Sequence, residues 1–180
     1  ANNTNYLSIV RNCLIAYNNA EVGHGGGIAD RYARGQVENC TIVSNRVDPA
    51  STYYGGGVRL SPSSTLNRYA LVENTVIQFN VGPDVTSNIY YNATFPASYT
   101  NCCSSPLSQM PGTNNTDAPP QFVNPAAGDF RLQSSSPCVN AGVHREWMAR
   151  GVDLDGRRRI DRFNKIVDMG CYEYVARGVL

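Results

Sequence analysis

Along residues 7–103 hydrophobic and polar positions alternate in short runs, and no run keeps the 3.6-residue spacing of an amphipathic helix. The clearest run is Val37-Glu38-Asn39-Cys40-Thr41-Ile42-Val43-Ser44-Asn45. It recurs upstream as Val10-Arg11-Asn12-Cys13-Leu14-Ile15-Ala16-Tyr17-Asn18 and downstream as Val72-Glu73-Asn74-Thr75-Val76-Ile77-Gln78-Phe79-Asn80. A worn copy is Tyr99-Thr100-Asn101-Cys102-Cys103. The first Asn of the unit returns at 12, 39, 74 and 101, with spacings of 27, 35 and 27. Self-similarity at such a period is the mark of a stacked repeat.

Read at period two, each copy is a strand, a bend and a second strand. Val37 points inward and Glu38 outward. Asn39 takes the bend, because Asn tolerates the left-handed conformation and can bond its own backbone. Cys40 and Ile42 then face the core, Thr41 faces water, and Asn45 ends the second strand. A third strand follows a flexible turn at Gly25-Gly26-Gly27-Ile28, at Gly55-Gly56-Gly57-Val58 and, in worn form, at Ser87-Asn88-Ile89. Three short strands per coil predict an all-β chain wound as a right-handed parallel β-helix, with like residues stacked about 4.8 Å apart. The predicted inner stacks are Val10/Val37/Val72, Cys13/Cys40/Thr75/Cys102, Ile15/Ile42/Ile77 and Ile28/Val58/Ile89. Two Asn columns, Asn12/Asn39/Asn74/Asn101 and Asn18/Asn45/Asn80, would bond amide to amide along the stack. Unrelated hairpin turns also use Asn, but they would not keep one offset between two Asn positions in three copies.

The expected organisation is a single domain. Repeat coils occupy residues 1–103, a Pro-, Ser- and Asn-rich loop without strand signal occupies 104–120, and a terminal coil with an irregular cap occupies 121–180. A chain of 180 residues can bury a sizeable core. Its net charge of +1, with 16% charged residues, gives no footprint for nucleic acid or an anionic membrane. No apolar run approaches the ~20 residues of a membrane span. Ala1-Asn2-Asn3-Thr4 is no signal peptide and reads as a cut point in something longer, since an abrupt first coil would expose an unpaired edge.

The last third departs from the repeat. It runs Gln121-Phe122-Val123-Asn124-Pro125, Gly128-Asp129-Phe130-Arg131-Leu132, Ser136-Pro137-Cys138-Val139-Asn140-Ala141-Gly142, Val152-Asp153-Leu154-Asp155-Gly156 and Val167-Asp168-Met169-Gly170-Cys171-Tyr172-Glu173-Tyr174. This series resembles the C-terminal end of secreted bacterial β-helix proteins of the pectin-lyase-like class, whose end block is sometimes labelled a choice-of-anchor domain. The resemblance implies a β-helical fold and a secreted or cell-surface setting. It implies little about activity, because the class includes lyases, hydrolases, adhesins and binding modules. That pattern commonly has Ala where this chain has Cys138 and Cys171, so the departure suggests a disulfide between them, which an extracellular setting permits. Cys13, Cys40 and Cys102 read instead as free core thiols, and Cys103 as free.

Enzymes of the class work on the outer face of one sheet, through stacked acids or a carboxylate pair about 5–10 Å apart. Here the strand after the Gly triplets would supply that face, reading Ala29/Arg59/Tyr90, then Asp30/Leu60/Tyr91, then Arg31/Ser61/Asn92. Asp30 is a single acid without an acidic neighbour above or below. Glu38 and Glu73 stack on the next sheet beside Arg11 and read as a solvated face with one ion pair. What the first face offers is rings and planar hydrogen-bonding groups: Tyr32, Tyr53, Tyr54, Tyr90 and Tyr91, with Arg31, Arg59, Asp30 and His24. Sugars stack on such rings, although many Tyr are structural, with half-buried rings and surface hydroxyls. Trp147 reads as cap core or, less simply, a ligand platform. Asp153 and Asp155 resemble the opening of a calcium loop without its closing Glu, so a structural calcium competes with an Asp-capped turn. No cofactor is otherwise expected.

These features predict a non-catalytic carbohydrate-binding module for plant cell-wall polysaccharide, of xylan or pectin type, joined to other domains of a secreted glycan-degrading enzyme. A polysaccharide lyase or glycosidase fragment built on Asp30, and a structural stalk or adhesin segment, are the competing readings.

Overall fold

The computed structural model describes residues 7–31, 34–50, 52–61, 70–83, 87–90, 97–160 and 165–175, with backbone alone for Leu7, Arg31 and Arg34. The chain is all-β, and helix occurs among the described residues only as short 3-10 turns. Its strands are β1 Leu7–Arg11, β2 Leu14–Ala16, β3 Asn19–Ala20, β4 Ile28–Arg31, β5 Arg34–Glu38, β6 Thr41–Val43, β7 Arg46–Val47 and β8 Val58–Ser61. They continue as β9 Leu71–Glu73, β10 Val76–Gln78, β11 Ile89–Tyr90, β12 Ser98–Thr100, β13 Cys103–Ser104, β14 Gly112–Thr113, β15 Phe122–Asn124 and β16 Asp129–Leu132.

Every strand up to β14 pairs in parallel. The sheets run β1-β5-β9-β12-β14, β2-β6-β10-β13 and β4-β8-β11, with the small pair β3-β7 between the second and third in each circuit of the chain. Register sets Val10 against Val37, Val37 against Val72 and Val72 against Tyr99. It sets Ile15, Ile42 and Ile77 in one row and Ile28, Val58 and Ile89 in another. These rows meet in one buried cluster with Cys40, Leu60, Cys102 and Met110. The bends explain why the strands stay so short. Asn12, Asn39, Asn74 and Asn101 all have φ between 48° and 56°, the left-handed region that Asn enters more readily than other side chains.

The loop expected over residues 104–120 holds a further turn of the stack. Tyr99 and Thr100 pair with Gly112 and Thr113, Asn114 repeats the left-handed bend at φ 57°, and Cys103 bridges to Thr116. The spacing of this copy shrinks because the intervening sheet is missing from it. A second difference is the pair β3-β7, extended by a bridge from Arg46 to Val81, which gives the circuit a fourth short strand. It follows left-handed residues at Tyr17, Ser44 and Phe79, each one position before the second Asn column.

The terminal third lies along the outside of the first two sheets. The antiparallel pair β15-β16 packs Phe122, Phe130 and Leu132 onto Val43, Val76 and Cys103, the outward side chains of the second sheet. That sheet is therefore buried on both faces. Thr41, expected to face water, is 2% exposed, and its hydroxyl accepts the Cys171 N–H at 3.1 Å. Close approach at this point needs a glycine: a Cβ on Gly170 would lie 2.8 Å from Thr41 Oγ1, and its φ of 95° excludes most side chains.

The disulfide expected between Cys138 and Cys171 is absent, and all six cysteines are free thiols. Cys138 packs in one cluster with Cys103, on β13, whereas the Cys171 N–H bonds Thr41, on β6. Strand β10 runs between β13 and β6, so the two cysteines rest over different strands.

Candidate functional site

The three-stranded sheet carries the ring-bearing face, and the glycine turns align it. Backbone N–H groups of Gly25, Gly26 and Gly27 donate to the carbonyls of Tyr54, Gly55 and Gly56, so one turn rides directly on the next. A Cβ on Gly56 would stand 2.2 Å from the Val81 carbonyl oxygen, which no side chain tolerates. Because the turns superpose, the residues before them do too. His24 stacks on Tyr54 with ring centroids 5.9 Å apart, and Tyr54 stacks on Tyr90 at 5.2 Å. Tyr53 meets His24 edge-on at 5.1 Å, and the Arg59 guanidinium lies 5.3 Å from the Tyr90 ring centre. The His24 ring is fixed by the Tyr54 N–H, which donates to Nδ1 at 2.8 Å. Tyr54 is exposed, while His24, Tyr53, Arg59 and Tyr90 are half-buried.

The arrangement differs from isolated sugar platforms. Both faces of Tyr54 are occupied by neighbouring rings, so the row presents ring edges, hydroxyls and the Arg59 guanidinium along its length.

Asp30 does not join this face. It pairs in register with Leu60, which is 2% exposed, so the two-residue period turns Asp30 to the inner side, where its carboxylate lies over Gly35. Successive residues of a strand point to opposite faces, so Asp30 cannot share the outer face with Ala29. Tyr32 and Tyr91 lie outside the described residues, as does the side chain of Arg31.

Glu38 and Glu73 do stand in register on β5 and β9, yet they are buried, at 6% and 3% exposure, and not a solvated face. The terminal segment covers them. Arg11 Nε bonds Glu38 Oε2 at 2.8 Å, Arg145 grips Glu73 with Nε at 2.8 Å and with Nη2, and Trp147 lies 4.6 Å from the Arg11 guanidinium. Each carboxylate is thus held by its own guanidinium, the geometry of a clamp and not of an acid/base pair. Sequence alternation places both outward; it carries no signal of what lies over them.

Asp153 and Asp155 are engaged by donors of the chain itself. Asp153 Oδ1 accepts the N–H groups of Asp155 and Arg157 at 2.9 and 2.7 Å, and Oδ2 that of Glu173 at 2.8 Å. Asp155 receives the Arg131 fork at 2.7 and 2.6 Å, which holds its carboxyl below the usual range. The motif acts as an Asp-capped turn. Among the described residues no group of three or more His, Cys, Asp or Glu side chains could hold a metal ion, and no helix is long and apolar enough to cross a membrane.

The terminal block has a buried charged centre that sequence patterning does not announce. Arg159 is fully buried; its Nη2 donates to the Gly170 carbonyl at 2.8 Å and its Nε faces Glu173 Oε1 at 3.2 Å. Burial outweighs Arg159 and raises the Glu173 carboxyl to about 9, with Asp168 and Asp153 adding to the rise. Asp168 is also raised, by burial, although it accepts the N–H groups of Asn140 and Tyr174.

No family model, curated protein or solved structure matches this chain.

Proposed function

We propose that the chain is a non-catalytic carbohydrate-binding module whose parallel sheets wind as a right-handed β-helix of the pectin-lyase-like class. Its ligand is a plant cell-wall polysaccharide of xylan or pectin type. The module is secreted with a larger glycan-degrading enzyme and raises that enzyme's effective concentration on its substrate. The observation that carries this reading is the row His24–Tyr54–Tyr90 with Arg59 beside it. A row with a strand-spaced repeat suits a linear chain of sugars: hydroxyls meet Arg59 and the Tyr hydroxyls, and C–H groups meet ring edges. The Arg clamps on Glu38 and Glu73 weigh against acid/base chemistry at the other stacked carboxylates.

Affinity electrophoresis against soluble xylans, pectins and β-glucans, with reducing-sugar and ultraviolet readout, tests it. Retardation by one class without product is expected, and Tyr54→Ala should weaken retention at least several-fold while the native fold persists by circular dichroism. Product release would replace the reading with an enzyme. Absence of both retardation and product would favour a stalk, and unchanged retention in the Tyr54→Ala variant would move the site elsewhere.

A further inference from the structure

Two pairs of thiols are neighbours, Cys13 beside Cys40 on adjacent strands and Cys103 beside Cys138 in the second buried cluster. They differ in access. Cys103, Cys138 and Cys40 are fully buried, whereas Cys13 is half-buried, on the turn before β2, the outermost described strand of its sheet. The pairing Leu14↔Thr41 places Cys13 and Cys40 at the same level on neighbouring parallel strands, tied by the Thr41 N–H donating to the Cys13 carbonyl at 2.9 Å. Neighbouring strands lie about 4.8 Å apart, inside the 4.4–6.8 Å between Cα atoms that a disulfide accommodates.

We propose that Cys13 and Cys40 form a thiol–disulfide exchange site, in which an accessible nucleophile is backed by a buried resolving thiol, and that a small-molecule disulfide such as oxidised glutathione is its oxidant. The Cys13 thiolate attacks one sulfur of the small disulfide, forming a mixed disulfide and expelling one small thiolate. Cys40 gives up its proton and attacks Cys13 Sγ, closing the protein disulfide and expelling the second small thiolate. The protein dithiol loses two electrons, and the small disulfide gains them as two thiols.

The surroundings favour that division of labour. The Cys40 hydrogen bond holds the Cys13 thiol down to about 6, so Cys13 is the better nucleophile at neutral pH. Cys40 is pushed upward by the same partner and by burial, and its thiol rests on the carbonyls of Glu38 and Val10. Cys40 itself has no exposed surface. The Cys103–Cys138 pair, sealed beneath β15 and β16, serves as an internal reference.

The test is to incubate the native protein with oxidised glutathione, quench with an alkylating agent, and map peptides by mass spectrometry without reduction. Cleavage after Arg11, Arg31, Arg34 and Arg46 separates the two thiols into residues 12–31 and 35–46. These peptides should appear joined while Cys102, Cys103, Cys138 and Cys171 remain alkylated as free thiols. In Cys40→Ser the glutathione adduct should instead accumulate on Cys13, and in Cys13→Ser the Cys40 thiol should stay free. A stable adduct on wild-type Cys13, prior reaction of Cys103 or Cys138, or no reaction where a free cysteine peptide exchanges fully would each overturn the proposal.

Discussion

Two asparagine columns climb the same stack, and only one is bonded amide to amide along its whole length. Asn18 Nδ2 donates to Asn45 Oδ1 at 2.8 Å, Asn45 to Asn80 at 3.0 Å, and Asn80 to Asn88 at 3.0 Å. Each acceptor oxygen also takes the backbone N–H of the residue above. The other column keeps one such bond, from Asn74 Nδ2 to Asn39 Oδ1 at 3.2 Å, and otherwise turns its amides outward. Asn12 donates to the Val152 carbonyl, Asn39 to Asp168, Asn74 to Val143 and Asn101 to Ala141, while the Val143 N–H returns to Asn74 Oδ1. The same side chain thus builds the stack in one column and berths the terminal segment in the other. Position relative to the bend decides which. The outward Asn is itself the left-handed residue, whereas the ladder Asn follows one.

The largest effect expected from breaking this contrast is Asn45→Ala. It removes bonds to Asn18, to Asn80 and to the Ile15 carbonyl inside a fully buried site. Several polar groups left unpaired cost about 1–3 kcal/mol each before relaxation, so urea unfolding should show a loss of roughly 3–5 kcal/mol. The whole stack should melt earlier as one unit. A loss under about 1 kcal/mol would mean that the ladder is incidental.

A smaller and local effect is expected from Asn74→Gly. Glycine keeps the bend at φ 48° and removes the amide that holds Val143 and that also donates to Asn39 Oδ1 at 3.2 Å. Stability should fall by about 2 kcal/mol, and limited proteolysis should cut first near residues 143–151, with amide exchange along β6 and β10 slowed as before. Asn74→Ala should add about 1–2 kcal/mol of left-handed strain. Equal protease resistance in wild type and Asn74→Gly would show that the apolar contacts of Phe122 and Phe130 hold the segment unaided.

How much of this was legible follows the same division. The inner rows Val10/Val37/Val72 and Ile15/Ile42/Ile77, and the Asn bends, were plain because each is local to a strand or repeats at a fixed offset. What covers the outer faces was not. Alternation tells which way Thr41 or Glu38 points, not what arrives there from a hundred residues later. The sequence does carry one sign: Leu14, Val43 and Val76 point outward with Thr41, and strands apolar on both sides are strands covered on both sides. The copy around Asn114 was hidden by its missing middle. The failed Cys138–Cys171 pairing came from letters at two positions, with no knowledge of the strand each rests on. The glycine-aligned ring row was legible as composition, and its mutual stacking only as geometry.

The finest distinction between the columns is their response to pH. The ladder is built of amides and has nothing to titrate. The docked segment contains Glu173, whose carboxyl ionises at about 9 when folded against a reference value of 4.5. Between those values the folded chain holds a proton that the unfolded chain has released, so stability must fall as pH rises through that window. Asp168, also raised, acts in the same direction, and Cys13, lowered to about 6, acts in the opposite one between 6 and 9. The difference between wild type and Glu173→Gln separates the Glu173 part, because glutamine keeps an acceptor for the Asp168 N–H and cannot ionise. Near pH 5 the two proteins should unfold at similar urea concentrations. Toward pH 9 the wild type should fall progressively behind the variant, with protease sensitivity rising first in the docked segment. A constant difference from pH 5 to 9 would show that Glu173 is ionised throughout as the partner of Arg159, and that this centre holds the segment as an ion pair.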